Sequence, residues 1–262
     1  AFQAGGPFSN HDYFQINVAG TFNMLEAASQ QRVEHFFFAS TDAVYSKYPA
    51  GGLTEPICED VMPKTPGGWY ALSKVLGEEM CLGYLRSQRL PVTIFRFALV
   101  VATDEILDFR QFYLSHWQET YENRTTGAAV ETRQQLFDHQ AEKLVIARDE
   151  NGRSYQKHIL DVRDIVQAFR LAISNPQTVG EVIQLAAPEP FVWETTIPYL
   201  ARALEIEYID LRLRGQSPTF YQFDLSKCRE RIGYQPQFDI FNTIDSALDY
   251  RSRVQVGSSE LI

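Results

Sequence analysis

An apolar block that directly follows an amphipathic helix is the feature of this sequence that most restricts its fold. Between residues 11 and 29, apolar residues recur at spacings of three and four, which predicts a helix with one apolar stripe. The stripe consists of Phe14, Val18, Phe22, Leu25 and Ala28. Residues 33–39 then contain three consecutive phenylalanines, a pattern typical of a strand buried on both faces. A helix that leads into such a strand predicts an α/β fold.

Strand-like and helical segments continue to alternate along the chain. Residues 91–99 and 182–186 are rich in β-branched and aromatic residues, which predicts strands, and residues 158–173 predict a strand leading into a helix. Another helix is predicted from Trp69 onward. Its expected buried side contains Val75, Leu76, Met80 and Leu85. Strands joined through helices run parallel, so the patterns predict an open, mostly parallel sheet with helices on both faces.

The polar segment between the predicted strands suggests a second structural unit. We predict that residues 1–102 and 155–188 form the sheet-containing domain. Residues 103–154 and 189–262 are predicted to form a smaller mixed unit, with helices around residues 195–204 and 225–232. Because ligands bind at the carboxyl ends of the strands in such sheets, the candidate site lies where the strands end.

Charge and cysteine usage exclude several classes of function. The formal net charge is −9 with both signs mixed along the chain, which argues against nucleic-acid and acidic-membrane partners. The three cysteines include no CxxC pair and the five histidines are scattered, so neither a disulfide framework nor a metal site is predicted. No apolar stretch approaches the length of a membrane span. These features predict a cytoplasmic protein.

One tyrosine is followed by a lysine four residues later at the start of a predicted helix. Among the 13 tyrosines, only Tyr70 has this neighbour, Lys74. The spacing places both side chains on one helix face. An ammonium group close to a tyrosine lowers its pKa from about 10, which would make Tyr70 a general acid and base. The alternative is a half-buried tyrosine beside a solvated lysine.

Polar residues at the end of the predicted Phe-rich strand are further candidates. In Ser40-Thr41-Asp42, a hydroxyl could orient a substrate oxygen beside Tyr70, although the same residue types also form ordinary turns. Asn17 interrupts the first helix, either to expose a backbone carbonyl to a water or as a packing residue. Arg212 and Arg214 could contact an anionic substrate; the alternative is that both are solvated.

Several motifs occur in an order that matches a known family. They are Asn17-Val18-Ala19-Gly20-Thr21, Leu25-Glu26-Ala27-Ala28, residues 37–45, residues 70–78, residues 90–96, residues 158–165 and residues 224–236. Together they resemble the extended short-chain dehydrogenase/reductase family, the NAD-dependent epimerases and dehydratases. The resemblance covers most of the chain and implies a doubly wound, Rossmann-like parallel sheet with a smaller C-terminal substrate unit.

The resemblance also implies roles for individual residues. Tyr70, Lys74 and Thr41 correspond to the family's catalytic set, and Asn17 corresponds to the asparagine of its helix motif. The cofactor, NAD or NADP, would contact Tyr70, Lys74 and Ala98. The substrate, a small molecule, would contact Thr41, Asp42 and Leu99. A homodimer through the helices that carry Asn17 and Tyr70 is implied as well.

Three departures from the family pattern bear on these expectations. No glycine-rich phosphate loop occurs, so we expect the sheet to be N-terminally incomplete, with about 70 residues preceding Ala1 in the gene product and one sheet edge unpaired. Ala43 stands where the dehydratases have a glutamate, which disfavours dehydration. Leu99 stands where nucleotide-sugar epimerases often have an asparagine, which counts against a nucleotide-sugar substrate.

The sequence therefore favours an NAD(P)-dependent oxidoreductase or epimerase that acts on a secondary alcohol or ketone, sugar-derived or other. Tyr70 would move the proton, and Thr41 would orient the substrate oxygen. The alternative is a catalytically lapsed protein of the same fold, with a binding or regulatory role.

Overall fold

A parallel three-stranded sheet forms the centre of one part of the fold. The computed structural model describes residues 8–259, with side chains described up to residue 254. Its strands are β1 (Phe36–Thr41), β2 (Val92–Phe97), β3 (Leu99–Val101), β4 (Leu144–Arg148), β5 (Gln156–Lys157), β6 (Ile159–Asp161), β7 (Val182–Leu185), β8 (Phe191–Val192) and β9 (Tyr208–Arg212). The sheet has the order β1-β2-β7, with both pairs parallel. The predicted α/β fold with a parallel, Rossmann-like sheet is confirmed.

Helices lie between half of the pairs of consecutive strands. The α-helices are α1 (Asn10–Tyr13), α2 (Gly20–Gln30), α3 (Trp69–Gln88), α4 (Leu114–Tyr121), α5 (Ala129–Phe137), α6 (Val162–Ala172), α7 (Trp193–Leu204), α8 (Ser226–Ile232) and α9 (Ile240–Ser259). A π-helical segment, Phe14–Ala19, joins α1 to α2, and short 3-10 turns occur at Asp42–Val44, Glu105–Asp108, Arg110–Phe112 and Pro176–Thr178. Within residues 8–259, no helix combines the length and apolar composition that a membrane span requires.

The strand β1 is less buried than its sequence predicts. Among the described residues it pairs only with β2, so its other edge is unpaired. Phe38 is buried, but Phe36 and Phe37 are only partly buried and Ala39 is exposed. The prediction of a strand buried on both faces is therefore wrong here. The reason is that β1 is an edge strand of the described sheet, and no adjacent strand on its open edge helps to cover its side chains.

The π-helical segment changes which residues of the first helix are buried. Val18, Leu25 and Ala28 are buried as predicted, whereas Phe14 and Phe22 are 44% and 47% exposed. The wider π turn holds more residues than an α turn, so the apolar stripe shifts around the axis. The homodimer contact implied for this helix stays a prediction.

The helix α3 buries a face of small and polar residues, contrary to the prediction from its apolar residues. Leu76 is 36% exposed, and Val75, Met80 and Leu85 are only partly buried. The buried residues are Ala71, Ser73, Lys74, Gly77, Glu78 and Cys81. The absence of a side chain at Gly77 permits this face to approach β1, because a Cβ there would lie 2.3 Å from Cζ of Phe38. The face that carries the polar side chains is thus the one that packs on the sheet.

The polar segment and the C-terminal part of the chain share a separate core. β4 pairs in parallel with β9, and β5 pairs antiparallel with β8. Their cluster of buried side chains includes Phe112, Trp117, Tyr121, Leu144, Trp193 and Leu200. The division into two domains at the predicted boundaries stays a prediction, since Val101 and Ile159 of the strands β3 and β6 also contribute to this core.

Candidate active site

A cavity of about 360 Å³ lies where β1 and β2 end. Its wall includes Thr41, Asp42, Tyr70, Ala98, Leu99 and Lys157. The parallel register pairs Thr41 with Phe97, so the carboxyl ends of both strands open into the same space. The structure thus brings together the candidate residues that come from β1, from α3 and from the segment after β2. This is the edge at which ligands bind in open parallel sheets.

Tyr70 and Thr41 both line this cavity, so their hydroxyl groups are exposed to the same space. Thr41 also accepts a hydrogen bond from the backbone N–H of Ala43 at 3.2 Å, which fixes its side chain at the strand end. Burial raises the pKa of Tyr70, the nearby Thr41 hydroxyl opposes this shift, and the charge of Asp42 adds to it. A phenol that is held neutral beside a second hydroxyl is poised as a proton donor.

Lys74 lies on the same helix face but is directed toward the backbone. Its Nζ donates a hydrogen bond to the carbonyl of Ala39 at 2.9 Å and lies 5.4 Å from the ring centroid of Phe38. Burial lowers the pKa of Lys74. The expected lowering of the Tyr70 pKa by Lys74 is wrong for this arrangement, because burial of the phenol raises its pKa and the charge of Asp42 raises it as well.

Asn17 supports the site through hydrogen bonds rather than by lining the cavity. Its side-chain amide donates to Oγ of Ser73 at 3.0 Å, and that hydroxyl donates to the carbonyl of Tyr70 at 2.7 Å. The carbonyl of Asn17 itself accepts a hydrogen bond from the Thr21 hydroxyl at 2.6 Å. Asn17 therefore holds the first turn of α3 in place, and its position in a π-helical segment is typical of functional sites.

A buried ion pair behind the cavity escaped the sequence interpretation. The two guanidinium nitrogens Nε and Nη2 of Arg96 donate to the carboxylate of Glu78 at 2.9 and 2.7 Å. Ser40 donates to the same carboxylate at 2.6 Å, and Nη1 of Arg96 donates to the Tyr45 hydroxyl at 2.6 Å. Burial raises the pKa of Tyr45 to about 12. The available signal was Glu78 at four residues from Lys74, which puts both on one helix face.

Two lysines of the cavity were also missed. Lys47 forms an ion pair with Asp42 at 2.5 Å, and both side chains are at most 10% exposed. Lys157, on β5, lines the cavity and is 8% exposed. No local pattern marked Lys157, because its only neighbour in β5 is the polar Gln156. The charge of Asp42, a predicted substrate residue, is neutralised by Lys47.

The arginines proposed for an anionic substrate lie elsewhere. Arg214 forms an ion pair with Glu131, and its carbonyl accepts a hydrogen bond from Tyr121 at 2.7 Å. The guanidinium of Arg212 lies beside Gly152. Neither residue lines the cavity at Tyr70.

Solved structures show the same fold. The crystal structure of a short-chain dehydrogenase/reductase superfamily protein from Agrobacterium tumefaciens with bound NAD superposes with a TM-score of 0.83. It is 28% identical, and the match covers 99% of this chain and 80% of that chain. UDP-glucuronic acid 4-epimerase from Bacillus cereus in complex with NAD has a TM-score of 0.69 at 21% identity, covering 97% of this chain and 72% of that chain. This second likeness concerns the fold alone.

Sequence comparison points the same way. The uncharacterized UDP-glucose epimerase YtcB of Bacillus subtilis is 22% identical over 254 residues, which is 94% of this chain and 70% of that protein. L-arabinose 1-dehydrogenase (NAD(P)(+)) of Haloferax volcanii is 30% identical over 101 residues, 36% of this chain and 40% of that enzyme. Residues 7–186 match the sequence model of the NAD dependent epimerase/dehydratase family. The chain belongs to this family, whose members are extended short-chain dehydrogenases/reductases.

Proposed function

We propose that this chain provides the proton-transfer and substrate site of an NAD(P)-dependent oxidoreductase or epimerase that acts on a secondary alcohol or ketone. The observation that carries the proposal is that Tyr70 and Thr41 line one cavity at the carboxyl ends of β1 and β2. Lys74 stands one turn beyond Tyr70 on the same helix. A binding protein without chemistry has no need for this combination.

Each of the three residues has a distinct role in the proposal. Tyr70 gives its phenolic proton to the oxygen of a ketone, or takes the proton of an alcohol in the opposite direction. Thr41 hydrogen-bonds the same oxygen and keeps it beside the phenol. When bound, NAD or NADP supplies the hydride acceptor or donor for the substrate carbon.

The residues around Lys74 fit the nicotinamide-ribose end of such a cofactor. A lysine ammonium has three donors, and the structure shows one hydrogen bond, to Ala39. The remaining donors are available to ribose hydroxyls, and Ala98 offers a small apolar wall at the end of β2. A likeness to a protein whose crystal structure contains NAD supports this assignment. No residue of this chain is assigned to the phosphates, since the sequence contains no glycine-rich loop.

The experiment compares Tyr70→Phe with the wild-type chain. Hydroxy compounds and ketones are screened with NAD(H) and NADP(H), and the nicotinamide absorbance is followed. Loss of the phenolic proton is expected to reduce turnover about 100- to 10,000-fold while the protein stays folded.

Tyr84→Phe is the matched control, because Tyr84 lies on the same helix but donates to Glu26 and does not line the cavity. Its turnover is expected to equal that of the wild type. Equal rates for Tyr70→Phe and wild type would favour the alternative of a lapsed binding or regulatory protein.

A further inference from the structure

Lys157 is a buried cation that faces the cavity without a counter-ion. The residue is 8% exposed and belongs to the wall of the cavity that holds Tyr70 and Thr41. Its Nζ lies 4.9 Å from the ring centroid of Phe109. Within residues 8–254, no hydrogen bond or ion pair to that amine is present. An ammonium removed from water in this way costs free energy unless an anion compensates it.

The nearest acidic group is already engaged. Asp42 binds Lys47 at 2.5 Å, so these two charges cancel. Burial and the charge of Lys47 together lower the pKa of Lys157 to about 8, and Asp42 only partly offsets these two effects. The amine therefore gains a full positive charge most readily when an anion enters the cavity.

The size and lining of the cavity indicate what kind of anion fits. A volume of about 360 Å³ is at the lower end of the range for small-molecule sites. Arg96, the arginine closest in the fold to the end of β2, is bound to Glu78. Leu99 contributes an apolar side chain to the wall. One free cation beside apolar groups matches a single negative charge better than a diphosphate, which carries at least two.

We propose that the substrate is a small hydroxy acid whose carboxylate binds Lys157 while its hydroxyl or keto oxygen lies at Tyr70 and Thr41. This inference rests on the proposed function and names its substrate class. Lys157 then determines specificity and takes no part in proton transfer, which leaves Tyr70 as the acid and base.

The test is calorimetric titration of the chain with matched pairs of ligands. Glucuronate, galacturonate and gluconate are each compared with the neutral glucose, galactose and glucitol, and UDP-glucose provides a diphosphate. At least one acid is expected to bind about tenfold or more tightly than its neutral counterpart. Lys157→Met is expected to remove this preference and Lys157→Arg to retain it.

Controls separate the inference from the proposed function and from misfolding. Lys143→Met removes a lysine that pairs with Glu207 outside the cavity, and it should keep the preference for the acid. Circular dichroism checks that Lys157→Met is folded. Tyr70→Phe should keep the preference for the acid, because both ligands of a pair lose the same contact with the phenol, so that unchanged turnover in Tyr70→Phe overturns the proposed function alone.

Two results would overturn the inference itself. One is that no acid binds more tightly than its neutral counterpart, or that Lys157→Met keeps the preference. The other is that only UDP-glucose binding depends on Lys157, which would assign the cation to a diphosphate.

Discussion

Removal of the Glu78 carboxylate should destabilise the protein strongly, because it leaves a buried guanidinium without its counter-ion. The Glu78 side chain is fully buried and that of Arg96 is 4% exposed. In Glu78→Ala, Arg96 loses hydrogen bonds of 2.9 and 2.7 Å and keeps its contact with Tyr45. Ser40 loses its acceptor as well.

The expected cost follows from this burial. Breaking a buried ion pair by deleting one partner costs about 3–5 kcal/mol. A protein of this length changes its melting temperature by about 2–4 °C for each kcal/mol, so Tm should fall by about 6–20 °C. Because Ser40 precedes Thr41 on β1, the same variant should also weaken the placement of the Thr41 hydroxyl.

Glu79→Ala is the matched control, since Glu79 is the next residue of the same helix. Its side chain is 53% exposed and pairs with Lys64 at the surface. Exposed pairs of this kind contribute about 0–1 kcal/mol. The double variant Glu78→Met/Arg96→Met removes both charges and should recover much of the loss seen in Glu78→Ala.

Urea unfolding followed by circular dichroism measures the free energy of unfolding of each variant, and calorimetry measures Tm. A Glu78→Ala variant within about 1 kcal/mol of Glu79→Ala would refute the reasoning. It would mean that water or a rearranged side chain replaces the carboxylate, and that the ion pair does not tie α3 to β2.

Two further predictions concern packing and pH. Gly77→Ala should lower the free energy of unfolding by about 1–3 kcal/mol, because the new methyl group would lie 2.3 Å from Cζ of Phe38. In Gly83→Ala, on the same helix, the new methyl group meets nothing within 4 Å, so the free energy of unfolding should increase by up to about 1 kcal/mol. Equal urea midpoints for Gly77→Ala and Gly83→Ala would contradict the packing argument. Burial lowers the pKa of His158 to about 3, so the folded state binds fewer protons than the unfolded state between about pH 3 and 6.5. The free energy of unfolding therefore decreases as the pH is lowered from 6.5 to 3. From pH 7 to pH 5 the free energy of unfolding of the wild type should therefore decrease by about 2 kcal/mol more than that of His158→Asn. In this variant the amide oxygen can accept the hydrogen bond from the N–H of Phe223. Equal decreases for both proteins in urea titrations would disprove the assignment.

Much of the fold follows from short-range patterns. The order of helices and strands is encoded by apolar spacing, and the structure agrees with most predicted elements within a few residues. Even so, the same apolar spacing misjudged α3, because its buried face carries Lys74 and Glu78. Periodicity identifies which residues share a face, whereas only the neighbours decide whether that face is buried.

Part of the candidate site could also be predicted from the sequence. Thr41 follows a strand, and Tyr70 and Lys74 are one helical turn apart, so local geometry alone predicts that they face the carboxyl edge of the sheet. The cavity wall formed by Thr41, Tyr70 and Ala98 agrees with that expectation.

The sequence by itself determined the α/β order of the chain and the residue types at the ends of its strands, because both depend on neighbours a few positions apart. Only the tertiary structure decided which charges are paired. Arg96 meets Glu78, Asp42 meets Lys47, and Lys157 is left facing the cavity. The tertiary structure also decided in which direction the pKa of Tyr70 shifts, because desolvation and charge–charge interactions depend on distances that only the assembled fold defines.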